Sequence, residues 1–518
     1  MVRKALAFLA TAALFPAGVA QASWYEGSSK HFLVYADDSP EHVKAMTEGL
    51  ERFDKAVRVA LKLREPEVSP HARVTVYVLP SVDAVQKMAG RSGVAGYYQN
   101  QLSSGPVAFV PAEDNNGSVT ALTPRMILQH EYAHHVMFSS WGDVVFPPWF
   151  SEGFAELFAT ARIRPDGSVV IGAIPAYRTY GIDQMNVVPI ERLMKGGPNY
   201  KNGLEAQVFY GRAWLLTHYM IFDPERAKQL SAYIEAVNNG KSPDAAASAL
   251  GVSSGTDIKL NNYGKQKTLP SALLDASKLP IPPVTTRQLT AGEAAIMSAQ
   301  MRSQNGVDAK RAQEVVADAR AVAASYPNDA GVQNELAEAE YDAGNYEASQ
   351  AAADRVLAID PNSMHGMVYK GMSMLAIAKK ANNTDPAVWQ AARRWYLKAN
   401  RTDPLYSQPI QLLYESYETA KEQPSEGVKK GLVYAYQLAP HSLTLRFEAA
   451  HVLLEQNNAK AARVALEPIA FSERGGKIAE VAQKSIDLID KGDLPGALAA
   501  LKLPDPEEKK PDEPAKKS

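Results

Sequence analysis

The 518-residue chain contains no cysteine. That excludes disulfides, thiolate zinc sites, iron–sulfur clusters and cysteine nucleophiles together, so any metal must be held by histidine and carboxylate. An excess of one charge is missing too, since 55 Lys and Arg stand against 57 Asp and Glu for a net charge of −2. No basic field is available to collect phosphates, which argues against nucleic acid as a partner. Long apolar runs are almost absent. The exception, Ala5 to Ala20, follows Arg3 and Lys4, is interrupted by Pro16 and Gly18, and at 16 residues is shorter than the ~20 that span a bilayer. With Ala20-Gln21-Ala22 as an Ala-x-Ala cleavage site, residues 1–22 read as a secretory signal peptide. The expected product is exported, periplasmic or secreted, with no integral membrane segment after cleavage and 53 basic against 57 acidic residues.

What is present divides the chain. Phe32 to Tyr35, Val74 to Leu79 and Val107 to Val110 are β-branched or aromatic runs, and Pro40 to Leu63 carries apolar residues at helical spacing, the pattern of an α+β layer. Pro165-Asp166-Gly167 between Arg162-Ile163 and Val169 to Ile171 signals a hairpin. From about residue 265, Pro270, Pro280, Pro282 and Pro283 among Lys, Ser and Thr suggest an interdomain linker. From Leu289 to Leu503 the chain is Ala-rich and helical. There Pro327, Pro361, Pro404 and Pro440 each close an apolar helical stretch at nearly even intervals, as in a solenoid. The expected units are 23–284, 285–503 and a disordered charged tail at 504–518.

Within the helical part, Ala330 to Asn362 resembles a tetratricopeptide repeat. Leu336, Gly344, Tyr346 and the closing Leu357-Ala358-Ile359-Asp360-Pro361-Asn362 fall at that family's positions, while Ser349 and Val356 replace its usual alanines. The resemblance implies three to five degenerate units forming an all-α superhelix that binds a protein substrate or partner; an irregular helical bundle is the bland alternative.

His130-Glu131-Tyr132-Ala133-His134 is an HExxH motif. Thr123-Pro124 supplies an N-cap and first-turn proline, and nothing from Met126 to Phe138 breaks a helix. Spacing of four sets both imidazoles on one face, close enough for one Zn²⁺ at ~2.0–2.1 Å. Glu131 then serves as general base on a water at the metal. A catalytic site needs a third protein ligand, and 18 residues beyond His134 lies Glu152, in Trp149-Phe150-Ser151-Glu152-Gly153.

That stretch resembles the second helix of gluzincin metallopeptidases. The resemblance spans residues 30 to 285 and implies an α+β zincin-like fold with His130, His134 and Glu152 as ligands. A metzincin reading fails, because His135-Val136-Met137-Phe138-Ser139 offers neither the Gly nor the His it needs. By the same resemblance Glu156, one turn past Glu152, is either a partner of a ligating imidazole or a solvated carboxylate. Val208 to Tyr219 resembles the helix carrying the transition-state tyrosine of the aminopeptidase N branch. That nominates Tyr210 as oxyanion donor, with Tyr219 and Tyr200 as alternatives and a core stripe of Tyr210, Trp214 and His218 as the plain reading. His135, about 100 degrees around the helix from His134, is expected to pack; His218 either packs or donates. The Gly-x-Met-Glu-Asn motif that holds a free amine in aminopeptidase N relatives is missing, and Gly96 to Val110 offers an edge strand for an extended peptide. The expectation is an exported zinc endopeptidase with a repeat domain that recruits protein. The alternatives are an aminopeptidase and an inactive scaffold.

Overall fold

The computed structural model describes residues 24–501 apart from 93, 102–104, 113–121, 185, 200, 240, 242, 253–254 and 471–475. The expected signal peptide and the expected tail lie outside the described residues. The chain is a mixed α/β layer followed by a helical region.

Six strands, β1 (Trp24–Ser28), β2 (Phe32–Asp37), β3 (Val74–Leu79), β4 (Tyr97–Gln101), β5 (Gly105–Pro111) and β9 (Thr285–Gln288), form one sheet in the order β4-β5-β3-β2-β1-β9. β2, β3 and β5 are mutually parallel, while β4, β1 and β9 add antiparallel edges. β6 (Arg162–Ile163), β7 (Val169–Ile171) and β8 (Ala272–Leu274) make a small second sheet. β3 lies between β5 and β2, and all six of its side chains are buried because both faces of the sheet are covered there. Its alternation shows which layer covers each face. Val74, Val76 and Val78, with Ala108 and Val110 of β5, join the core formed with α1 (Pro40–Leu61) and the HExxH helix. Tyr77 and Leu79, with Val107 and Phe109, join Val85 of α2 (Val82–Ala89) and Met297 and Met301 of a helix at 291–304.

The remaining helices of the layer are α3 (Pro124–Ser140), α4 (Pro148–Ala159), α5 (Thr179–Ile182), α6 (Ile190–Lys195), α7 (Gly203–Ile221), α8 (Pro224–Asn238), α9 (Pro243–Ala249) and α10 (Thr256–Gly264). The helical region comprises α11 (Ala291–Gln304), α12 (Ala309–Ser325), α13 (Ala330–Asp342), α14 (Tyr346–Ile359), α15 (Met364–Lys380) and α16 (Pro386–Thr402). It continues with α17 (Ser407–Thr419), α18 (Glu426–Leu438), α19 (Leu443–Glu455), α20 (Ala459–Ala470), α21 (Gly476–Asp490) and α22 (Leu494–Ala500).

Among the described residues these make six successive helix pairs. Between the two helices of every pair one residue is left-handed: Gly306, Gly344, Asn382, Lys421, Asn457 and Gly492. Such a corner ends a helix by freeing its last carbonyls to accept bonds from the turn. Only three of the six are glycine, so the glycine signal shows half of the corners. The stretch expected to be a linker is also structured differently: it contains β8 and β9, and α11 seals the far face of the sheet. Helices further along touch the layer again. Asp403 accepts from Ser69 Oγ at 2.6 Å and is 2.8 Å from His71 Nδ1, while Arg446 donates to Gly142 O at the end of α3. Among the described residues, no helix is long and apolar enough to cross a membrane.

Candidate metal centre

α3 begins as its sequence dictates: Pro124 is first, and the Thr123 hydroxyl accepts from Met126 N at 3.3 Å. Tyr132, Ala133, Val136 and Met137 face the core, which turns His130 and His134 toward α4. α4 starts at Pro148 and is pressed against α7 at Gly153, where a Cβ would come within 2.3 Å of Ala213 O. Only glycine permits that approach, and it brings Tyr210 of α7 and Glu152 of α4 to the same imidazole.

Nε2 of His130 and Nε2 of His134 are 3.2 Å apart, and Glu152 Oε2 is 3.3 and 3.4 Å from them. Tetrahedral bonds of ~2.0–2.1 Å put neighbouring ligand atoms roughly 3.3–3.4 Å apart. The triangle therefore has the size that a zinc ion needs. Glu152 Oε2 is buried with no hydrogen-bond donor of good geometry, although both imidazoles are within ion-pair distance. A buried oxygen of this kind is costly unless a cation or donor is supplied. The residues present fit a single zinc ion.

Charge is concentrated here. Burial favours the neutral form of His130, but Glu152, Glu156 and Glu131 outweigh it and push the imidazole up to about 9. Burial alone would raise the Glu152 carboxyl, yet His134 and His130 pull it far below the usual carboxylate range.

Around the triangle, Ser151 Oγ is 3.3 Å from His134 Nδ1, and Glu156 Oε1 is 3.6 Å from His130 Nδ1. Glu156 is buried, not solvated: its two oxygens accept from Tyr177 OH at 2.7 Å and from Arg178 Nε and Nη2 at 3.1 and 2.8 Å. Tyr210 is half-buried, with its ring edge-on to His130 at 6.2 Å and the Arg178 guanidinium over its face at 4.5 Å. Phe138, exposed, stacks flat on His134 at 5.8 Å.

Other residues singled out by the sequence are elsewhere. His135 stacks on Tyr132, meets His441 of the helical region and is 3.0 Å from Tyr98 OH; burial pushes its imidazole well below the usual range. His218 is enclosed by Tyr263, Gly172 O and Pro270 O, and burial lowers it to about 4. Of the expected stripe, Trp214 and His218 are core while Tyr210 is not. Tyr219 packs on Tyr263 and Arg226, and Tyr200 lies outside the described residues.

Sequence reasoning missed Ser151, Tyr177 and Arg178. Tyr177 and Arg178 sit in a single short turn with no periodicity, held against α7 because Gly211 and Gly181 meet without side chains. Neither any protein-family model nor any curated protein matches the chain.

Proposed function

We propose that the chain is an exported zinc endopeptidase whose helical region, of the tetratricopeptide-repeat kind, presents a protein substrate or partner to it. The observation that carries the reading is the near-equilateral triangle of His130 Nε2, His134 Nε2 and Glu152 Oε2, whose buried oxygen faces the two imidazoles and, among the described residues, no arginine or lysine. A bound zinc supplies Lewis-acid polarisation of the scissile carbonyl and acidifies water at neutral pH.

The chain's own residues do the rest. Glu131, half-buried beside His130, takes the proton of the attacking water on its carboxylate and returns it to the leaving amine. Tyr210 donates its hydroxyl to the oxygen that gains charge, worth roughly 10²-fold in kcat for one such donor. Ser151 and Glu156 orient the imidazoles from behind. Among the described residues β4 is an end strand of the sheet, paired with β5, and lies against α3. An end strand is where an extended peptide can add to a sheet, and such binding favours internal cleavage over removal of a terminal residue. Phe138 offers an apolar contact beside His134.

Metal analysis of the purified protein, with digestion of an unfolded substrate by wild type and Glu131→Gln, tests the reading. One zinc per chain with cleavage lost only in the variant supports an endopeptidase. One zinc with no cleavage by wild type returns the protein to the scaffold alternative, and release of single N-terminal residues to the aminopeptidase one.

A further inference from the structure

We propose that Arg178 is a positioning residue that locks the oxyanion-donating tyrosine to the carboxylate behind the metal ligands. The inference rests on the zinc-peptidase reading. Two neighbours in one turn grip Glu156 from both sides: Tyr177 OH on Oε2 at 2.7 Å, and Arg178 Nε and Nη2 on Oε1 at 3.1 and 2.8 Å. Glu156 in turn stands 3.6 Å from His130 Nδ1. The same guanidinium covers the Tyr210 ring at 4.5 Å, so one planar cation spans the two halves of the site. Arginine suits this double task. Its fork holds a carboxylate while its face stacks on an aromatic ring; an ammonium is a point charge that cannot do both.

The backbone leaves Arg178 little freedom to drift. A Cβ on Gly211, next to Tyr210, would lie 3.1 Å from Arg178 O and 2.9 Å from Gly181 C, and one on Gly181 would lie 2.8 Å from Gln207 O. The turn is therefore seated on α7 at the residue adjoining Tyr210. Without the guanidinium, the phenol loses the cation over its ring face, and Glu156 loses its only arginine or lysine ion pair among the described residues.

The test uses full-length protein, with Arg178→Lys and Arg178→Gln alone and each combined with Tyr210→Phe. Arg178→Lys keeps a cation opposite the buried Glu156 and so preserves the fold, which thermal unfolding verifies. Zinc affinity is read by chelator competition, and kcat and KM on a short unstructured peptide. Both single variants should hold zinc roughly 10–100-fold more weakly, as for loss of an outer partner of a metal ligand. At saturating zinc, kcat should fall while KM changes little, and Tyr210→Phe should add no further loss, because the arginine acts through that ring. Wild-type zinc affinity and kcat in Arg178→Lys, or losses that multiply fully with those of Tyr210→Phe, would overturn the inference and leave the zinc reading standing. A wild-type protein that takes up no zinc removes the reading and the inference together.

Discussion

Two groups of histidine and carboxylate flank α3, and the difference between them lies in charge, not proximity. Among the described residues, His130, His134 and Glu152 on one side, and His31, Asp54 and Glu65 on the other, each bring three ligand atoms within 4.8 Å of one another. In the second group every carboxylate already has its cations. Arg58 Nε lies on both Asp54 oxygens at 2.9 and 2.8 Å, with Tyr132 OH at 2.8 Å, and Lys30 and Lys55 reach Glu65 at 3.2 and 2.8 Å. His31 Nδ1 faces Glu51 at 2.8 Å. A further cation would meet three positive side chains. Glu152 has only the two imidazoles, and no lysine or arginine forms an ion pair with it among the described residues. A metal ion can displace a proton from an imidazole but not the fixed charge of an arginine or lysine, so only the first group leaves its carboxylate open to a metal.

The largest effect is expected at Glu152. Glu152→Ala should weaken zinc binding beyond the roughly 10–100-fold typical of an outer partner, whereas Glu65→Gln should leave zinc content unchanged. Stoichiometric zinc in Glu152→Ala, measured by elemental analysis after chelator dialysis, would take Glu152 out of the ligand set. Glu131→Gln should keep the metal and slow hydrolysis by roughly 10²–10⁴-fold, as the loss of a group that moves protons.

On the other side of α3 the expected effect is on stability. Asp54→Ala strands a buried Arg58 and the Tyr132 hydroxyl, at a cost of about 3–5 kcal/mol for a broken buried pair. Denaturant unfolding should record it, with zinc per folded chain unaltered.

The pH response separates the two groups more finely. His130 is raised to about 9 in the metal-free site, so zinc must displace its proton at pH 7. Apparent zinc affinity should rise roughly tenfold per pH unit from 7 toward 9 and flatten above, and calorimetry in buffers of different ionisation heat should count the released proton. The contribution of His130 to metal-free stability is complete below about 6.5 and fades as pH rises through about 9. Glu65 behaves oppositely and more weakly. Burial would raise it, but Lys55 and Lys30 lower it to about 2, so its contribution is present above about 4.3 and disappears as pH falls through about 2. An affinity that is flat between pH 7 and 9 would mean that His130 carries no proton to displace.

The helical region separates local from non-local information in the same way. Val74 to Leu79 became β3 over the stated residues, and Ala330 to Asn362 became the α13–α14 pair with Gly344 at its corner, because each follows from side-chain period and turn chemistry within one segment. β9, in contrast, is four residues, TTRQ, without alternation or apolar content, and it is a strand because β1 offers an unpaired edge. That strand and α11 make the start of the helical region part of the sheet's own core. A fragment cut at residue 284 should therefore expose Tyr77, Phe109 and Met297's partners and aggregate, while one ending after Gln304 keeps that face covered.

The sequence by itself determined the composition of the candidate centre. Spacing of four on a helix puts His130 and His134 on one face whatever surrounds them, the Pro147-Pro148 start makes Glu152 part of a second helix, and the lack of cysteine restricts the ligands to nitrogen and oxygen. Tertiary structure decided which carboxylate meets no arginine or lysine among the described residues, that Tyr210 leaves the core stripe, and that Tyr177 and Arg178 reach Glu156 across 21 and 22 residues. Those outcomes depend on the glycine contacts that bring α4, α5 and α7 together, and a contact between segments has no period in any one of them.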